Sequence, residues 1–325
     1  MSKPYQPPFT VTAKIVSQVA AVAEGIGRMS AGKAPDVRLR RINRIRTIRG
    51  SLAIEGNTLS EAQITAILDG KPVIAPPREV QEARNALAAY EQLPDWQPAN
   101  ERHLLAAHAS LMKGLIDDAG RYRAGCVGVM RGDQVVHMAP PAQRVSLLMG
   151  DLLCWLKQTD QHPLVASSVF HYEFEFIHPF ADGNGRLGRL WQTLILAQWN
   201  PLFAYVPVES LVHVHRAGYY QAIEASTHQN DCAVFVEFML DRLLEAIAAA
   251  STEKTLVKTP VKTPVKPAEQ LLQLLRRQPT LTLAEAAAHL GKSTSAIERT
   301  ARKLRDAGRL RHLGPQKGGH WEVTA

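Results

Sequence analysis

The sequence predicts a mainly α-helical protein: a helical bundle carrying one small β-hairpin, followed by a small C-terminal module of its own. Three observations predict this. Apolar side chains recur at helical spacing through most of the first 250 residues. One short passage instead alternates around a glycine-led turn. A proline-punctuated run then divides the chain.

In chain order, Arg38 to Arg49 carries Ile42, Ile45 and Ile48, with Val37 before them, as the apolar face of an amphipathic helix with arginines between. Those arginines read as a solvated or ion-paired face, with an anion site as the alternative. Helical patterns continue over 78–91, 101–113, 142–157, 164–176, 187–199, 209–226 and 234–249. Val127 to His137 breaks the series and reads as two short strands around Gly132-Asp133. A hairpin on a helical body must rest on that body to be stable. It is either a surface ornament or a flap over a site.

Residues 251–267 read STEKTLVKTPVKTPVKP. Recurring proline forbids a helix, and the lysines and threonines between cannot build a core, so a semi-extended linker is expected. Past it, 268–277, 283–290 and 293–307 read as three short helices, with Gly291 ending the second and Ser293 capping the third. Arg309 to His312 and His320 to Val323 read as paired strands. Together they resemble a winged helix-turn-helix module.

The chain has 325 residues, 46% of them hydrophobic, enough for a sizeable core. No apolar run approaches the length of a membrane span, and the N-terminus shows no signal core, so a cytoplasmic protein without a membrane partner is expected. Cys126, Cys154 and Cys232 are odd in number and lack a CxxC pair, which signals neither a disulfide framework nor a zinc cage. The net charge of +8 sits entirely in the tail. Residues 251–325 hold 14 Lys and Arg against 6 Asp and Glu, while the first 250 hold 24 of each sign. Such asymmetry points the tail toward nucleic acid.

The chemistry concentrates between Phe176 and Arg189, in FIHPFADGNGRLGR. Glycine at 183, 185 and 188 allows backbone N–H groups to converge on one point. The helix beginning near Arg186 adds free N–H donors and a partial positive charge at its N-terminus. Arg186 and Arg189 lie one turn apart and can face the same way. This is an anion site suited to a polyphosphate. Asp182 is placed to hold a hard cation such as Mg²⁺, and His178 to take a proton from an attacking hydroxyl. The dinucleotide pattern Gly183-x-Gly185-x-x-Gly188 lacks its preceding strand. His171, Glu175 and His178 share a helical face that could bind metal, although His171 reads more simply as a core residue. Gly291-Lys-Ser lacks the earlier glycine of a phosphate loop.

The loop resembles the Fic signature, His-x-Phe-x-Asp/Glu-Gly-Asn-Gly-Arg-x-x-Arg. It matches at His178, Phe180, Asp182, Gly183, Asn184, Gly185, Arg186 and Arg189, and the likeness extends from roughly Pro35 to Leu244. The resemblance implies a Fic-type helical bundle with a β-hairpin flap, and a protein adenylyltransferase that moves AMP from ATP to a Ser, Thr or Tyr hydroxyl. His178 would be the general base and Asp182 the Mg²⁺ ligand. Gly183, Asn184, Gly185 and Arg186 would cradle the α- and β-phosphates, with Leu187 and Gly188 in the same nucleotide-binding stretch, and Arg189 would hold the γ-phosphate. Phe180 would anchor the loop in the core. The hairpin would align a target segment by strand pairing. Val135, Val136, His137 and Met138 on it would meet the nucleotide's edge, and Tyr219 and Tyr220 would border the adenine or else fill the core.

Ser51-Leu-Ala-Ile-Glu55-Gly56 resembles the family's inhibitory motif, Ser/Thr-x-x-x-Glu-Gly/Asn, in the position where the brake is an N-terminal helix. Glu55 paired with Arg189 would occupy the guanidinium that the γ-phosphate needs. Removal of AMP from modified targets by the same glutamate is left open. The expected division is 1–98 for the N-terminal helical region with its inhibitory helix, 99–250 for the Fic core, 251–267 for the linker and 268–325 for the winged helix-turn-helix. ATP and protein targets, the chain itself included, are the implied partners. DNA is a further candidate through Arg299, Arg302, Lys303 and Arg305, and self-association stays open. Two other readings compete: a DNA-binding transcriptional regulator whose core only senses nucleotide, and a metal-dependent phosphoester hydrolase using His171, His178 and Asp182.

Overall fold

A computed structural model describes residues 5–31, 37–125, 128–131, 134–257, 267–290, 292–315 and 319–324. The chain forms two compact units, Met1–Lys254 and Thr255–Ala325.

The first unit is helical apart from one hairpin. Its helices are α1 (Ala13–Ala31), α2 (Val37–Ile54), α3 (Glu61–Leu68), α4 (Pro77–Gln92), α5 (Glu101–Met112), α6 (Ala142–Gln158), α7 (Pro163–Ile177), α8 (Asn184–Trp199), α9 (Val208–Val214), α10 (Arg216–Gln229) and α11 (Ala233–Val257). At its centre stand α7 and α8, buried on nearly every side, as helices without a polar face must be. They approach so closely that a Cβ on Gly188 would lie 3.1 Å from Glu175 Oε1 and 3.2 Å from the His171 ring. A second close approach brings α2 onto α9, where a Cβ on Gly50 would stand 2.5 Å from the Ser210 nitrogen. That contact aims the C-terminal end of α2 at the site.

Helix α2 stops abruptly. Gly56 takes φ 93°, and the N–H groups of Gly56 and Asn57 return to the carbonyls of Ala53 and Leu52, both at 3.1 Å. This is a Schellman ending, and it makes Glu55 the last side chain before the turn. The hairpin pairs β1 (Gly128–Arg131) antiparallel with β2 (Gln134–Met138). The expected turn at Gly132-Asp133 lies outside the described residues. Among the described residues, no helix is long and apolar enough to cross a membrane.

The structure departs from the sequence expectations in four places. Helices α1 and α3 were not expected, and the helix expected over 209–226 is interrupted at His215 (φ −100°, ψ 30°). The linker expected over 251–267 is also shorter than predicted, because α11 continues to Val257: proline first falls at 260, and the preceding residues carry no helix breaker. Pro267 already opens the next helix, a position that suits its fixed φ. Residues 258–266 lie outside the described residues.

The second unit contains α12 (Pro267–Arg277), α13 (Leu283–Leu290) and α14 (Thr294–Asp306), then β3 (Leu310–Leu313) paired antiparallel with β4 (His320–Val323). Leu271, Leu275, Ala286, Ile297, Ala301 and Leu304 form its core. Thr282 and Glu285 exchange backbone bonds in a capping box at the start of α13. Ser293 precedes α14 in extended geometry but makes no side-chain capping bond. The expected helix stop at Gly291 lies outside the described residues.

Candidate active site

The loop between α7 and α8 is built by its own residues. Phe180 is fully buried and carries the His108 ring stacked on it at 3.7 Å. Asn184 turns back on Phe180, accepting from its N–H and donating to its carbonyl, both at 2.9 Å. The Asn184 side chain is therefore a clasp that closes the loop, and only its backbone N–H is left for a ligand. Gly183 precedes α8 in left-handed geometry, φ 85°, and the Leu187 N–H closes the first helical bond to its carbonyl. The amides of Asn184, Gly185 and Arg186 therefore lack helical acceptors and face the cradle. Leu187 is buried with its amide spent, and Gly188 serves the approach to α7. Both act in packing.

Gly183 gives a direct test of this geometry. A Cβ there would be strained by the positive φ and would stand 2.6 Å from Met112 Sδ in the core. Gly183→Ala should lower stability by about 1–3 kcal/mol, read as a shift in the urea midpoint with the slope unchanged.

The two arginines of the loop do not converge on one partner. Arg186 is 6% exposed and reaches Asp182 Oδ1 at 3.0 Å and Glu82 Oε1 at 3.3 Å. Arg189, 2% exposed, turns to α2: Nε donates to the Ser51 hydroxyl and Nη2 to the Ser51 carbonyl, each at 3.1 Å, and Nη2 meets Glu55 Oε1 at 2.6 Å. Burial alone would weaken the proton's hold on Arg189, but the charge and hydrogen bond of Glu55, with Tyr219 and Glu175 beside it, together outweigh it and the guanidinium is pushed above its ordinary value. Glu55 also sits directly over the cradle. A Cβ on Gly185 would collide with Glu55 Oε1.

Asp182 is half-exposed at the mouth of this cradle. Its Oδ1 accepts from the Gly183 N–H at 2.6 Å, and its Oδ2 accepts from Arg78 at 3.2 Å. His178 ends α7 in left-handed geometry, φ 50° and ψ 61°. Nearby Glu175 is half-buried. Burial would raise its carboxyl, but His171 at 3.8 Å, with the charges of His178 and Arg189, holds it below its ordinary value.

His171 is a buried tie. Its Nδ1 donates to Gln192 Oε1 at 2.7 Å, and Nε2 meets the Tyr219 hydroxyl at 3.0 Å. With both nitrogens engaged, the metal role weighed for His171 does not fit, and among the described residues no group of three or more His, Cys, Asp or Glu is arranged to hold a metal. Tyr219 itself lies in the core against Phe235 and Phe238. Only Tyr220 keeps an accessible ring, with the Arg216 guanidinium 5.7 Å from its centre. Val135 to Met138 form most of β2.

Four residues of the site come from outside every motif. Arg78 and Glu82 project from α4 onto Asp182 and Arg186. His108 of α5 donates from Nε2 to the Asp182 carbonyl at 2.9 Å and accepts the Gly120 N–H at Nδ1. Burial first, with the Arg186 charge, pushes its pKa down to about 4 against the pull of the Asp182 carbonyl. Arg123 binds the carbonyls at the end of α7. No local pattern marks any of them, because only tertiary packing brings them to the loop.

Known proteins resemble this chain in sequence and fold. Residues 98–196 match the Fic/DOC family model. The crystal structure of a Fic family protein from Desulfovibrio desulfuricans G20 is 46% identical, covers 99% of both chains and superposes with a TM-score of 0.76. Fic-1 of C. elegans shares the fold at a TM-score of 0.61 and 22% identity, over 75% of this chain and 72% of that one. Among curated proteins, the protein adenylyltransferase Fic of Nematostella vectensis is 27% identical over 220 residues, 62% of this chain and 48% of that protein. The protein of the same name from Aedes aegypti is 30% identical over 229 residues, 64% of this chain and 42% of that one. The chain thus spans about half the length of the curated relatives it matches, or somewhat less. With the loop, the cradle and these likenesses together, the chain belongs to the Fic family.

Proposed function

We propose that the chain is a protein adenylyltransferase held at rest by Glu55. One observation carries the reading: Glu55, a carboxylate of the chain itself, pairs with the buried Arg189 at 2.6 Å and stands against Gly185, where the amides of 184–186 lack helical acceptors. His178 takes the proton of a target Ser, Thr or Tyr hydroxyl, whose oxygen attacks the α-phosphorus of ATP. The bond to the bridging oxygen breaks, and pyrophosphate leaves with its charge held by the cradle amides, Arg186 and Arg189. Asp182 suits a hard cation, since it offers oxygen donors, stands half-exposed and faces the phosphates' expected place. Mg²⁺ bound there would neutralise phosphate charge. Tyr220 and the β2 edge are the surfaces offered to the adenine and to the target segment. Label placement tests the reaction. Incubation with ATP labelled at the α-phosphate should mark protein, and ATP labelled at the γ-phosphate should not; the reverse result would make the chain a phosphoryl transferase.

The second unit is read as a winged helix-turn-helix that meets DNA. Arg299, Arg302, Lys303 and Arg305 are all exposed on and beside α14, while Ile297, Ala301 and Leu304 face the core. That places a cationic face on the third helix, where such modules read the major groove. Random duplex should shift the protein at low salt and release it as salt rises, in proportion to the phosphates contacted. No shift at any salt concentration would leave this unit a protein-docking or architectural module.

A further inference from the structure

Arg123 lies in the segment between α5 and the hairpin and is 4% exposed. Its guanidinium spans two pieces of the site. Nε donates to the His178 carbonyl at 2.7 Å, and Nη2 reaches the Ile177 carbonyl at 3.3 Å. The same group donates from Nη1 to the Gly125 carbonyl at 2.8 Å and from Nη2 to the Pro140 carbonyl at 2.6 Å. Its own N–H meets the Pro179 carbonyl at 2.9 Å. Ile177 and His178 carry carbonyls at the end of α7, which lack helical donors and form the negative pole of that helix, so a cation belongs there. Gly125 lies three residues before β1, and Pro140 two residues after β2. One side chain therefore binds the turn that carries His178 and both roots of the hairpin.

His178 needs such support. A non-glycine residue in left-handed geometry holds only where its surroundings impose it. A two-stranded hairpin likewise needs anchoring to persist.

We propose that Arg123 is a positioning residue that registers the hairpin against the His178 turn, so that the placement of a target strand and of the base is set by one fork of hydrogen bonds. The proposal rests on the adenylyltransferase reading for its kinetic consequence alone; the mechanical coupling stands without it. Lysine keeps the charge but loses the planar fork that matches four separate carbonyls.

The test uses the full chain in a Glu55→Gly background and compares it with the same protein carrying Arg123→Lys. Amide hydrogen exchange should quicken together in residues 128–131, 134–140 and 177–183 while α1, α8 and α11 stay protected. AMP transfer should fall about 10- to 100-fold, with the affinity for Mg-ATP changed by less than about threefold. Uniform deprotection, or loss of nucleotide binding in step with activity, would assign Arg123 a merely structural role and overturn the proposal. So would exchange at the hairpin that does not respond. Should the parent transfer no AMP, the adenylyltransferase reading fails and the exchange result still decides the coupling. Should the variant fail to fold, the unaltered chain decides it: the amides of His178 and of β1–β2 should open as one unit across a denaturant series, and separate openings overturn it.

Discussion

Glu55→Gly should raise AMP transfer by the purified chain, on the order of a hundredfold. The carboxylate now occupies space above Gly185 and pairs with a guanidinium that is almost wholly buried. On the proposed reading, a triphosphate entering this cradle would meet a fixed negative charge, and its terminal phosphate would find its arginine taken. Removing the side chain relieves both conflicts at once. It also leaves Arg189 with only the neutral Ser51 acceptors, a buried cation short of its counter-charge. The nucleotide-free variant should therefore melt below the parent, and Mg-ATP should raise its melting temperature by more than it raises the parent's. Incorporation of α-labelled ATP and thermal melts with and without Mg-ATP measure the two effects. Equal transfer by parent and variant would remove the brake, and an equal thermal response would show that Glu55 does not compete with phosphate.

The part of this site that could be read from the sequence is the part that is local. The turn from Phe180 to Asn184 is closed by its own near neighbours, since Asn184 clasps Phe180 four residues back, so spacing reports its shape. The central helices were legible for the same reason, since their apolar runs end at Pro179 and at the glycines. Helix α3 also left a local trace that was passed over: Ser60 and Gln63 form a capping box three residues apart. Helix α1 buries Ile15, Val22, Ile26 and Met29 at helical spacing, although glycines at 25 and 27 weaken its pattern. The pairing of Glu55 with Arg189, 134 residues away, was legible only through the family likeness. Arg78 and Asp182, 104 residues apart, left no trace in any motif. Arg123 had no signal at all, because its partners are main-chain carbonyls, which every sequence supplies. The direction of Arg186 was missed because i and i+3 spacing puts two arginines on one face without saying which acids will stand opposite, and Glu82 and Ser51 draw them apart.

His178→Ala in the Glu55→Gly background should lower AMP transfer by about 10²- to 10⁴-fold while Mg-ATP still binds. The cradle proposed for the phosphates is made of amides 184–186 and of Arg186 and Arg189, none of which depends on the imidazole. Loss of the base should therefore fall on the chemical step and spare nucleotide affinity. The backbone complicates the choice of substitution, since position 178 is held at φ 50° and alanine resists that region. Asparagine tolerates it and cannot accept a proton at neutral pH. If the imidazole acts as base, His178→Asn and His178→Ala should be equally inactive, although the asparagine variant should melt at the higher temperature. If asparagine restored transfer to within a few fold of the parent, position 178 would matter for the shape of the turn, and the proton would leave by another route. Glu175 is one candidate for that route, but it is half-buried and held in its charged form by His171, His178 and Arg189. Its Oε1 stands beside the spot a Cβ on Gly188 would fill, on the α7 side of α8. A carboxylate held between two helices, rather than at the mouth of the cradle, is poorly placed to meet a hydroxyl arriving from the hairpin side, and this geometry favours the imidazole as the group that takes the proton.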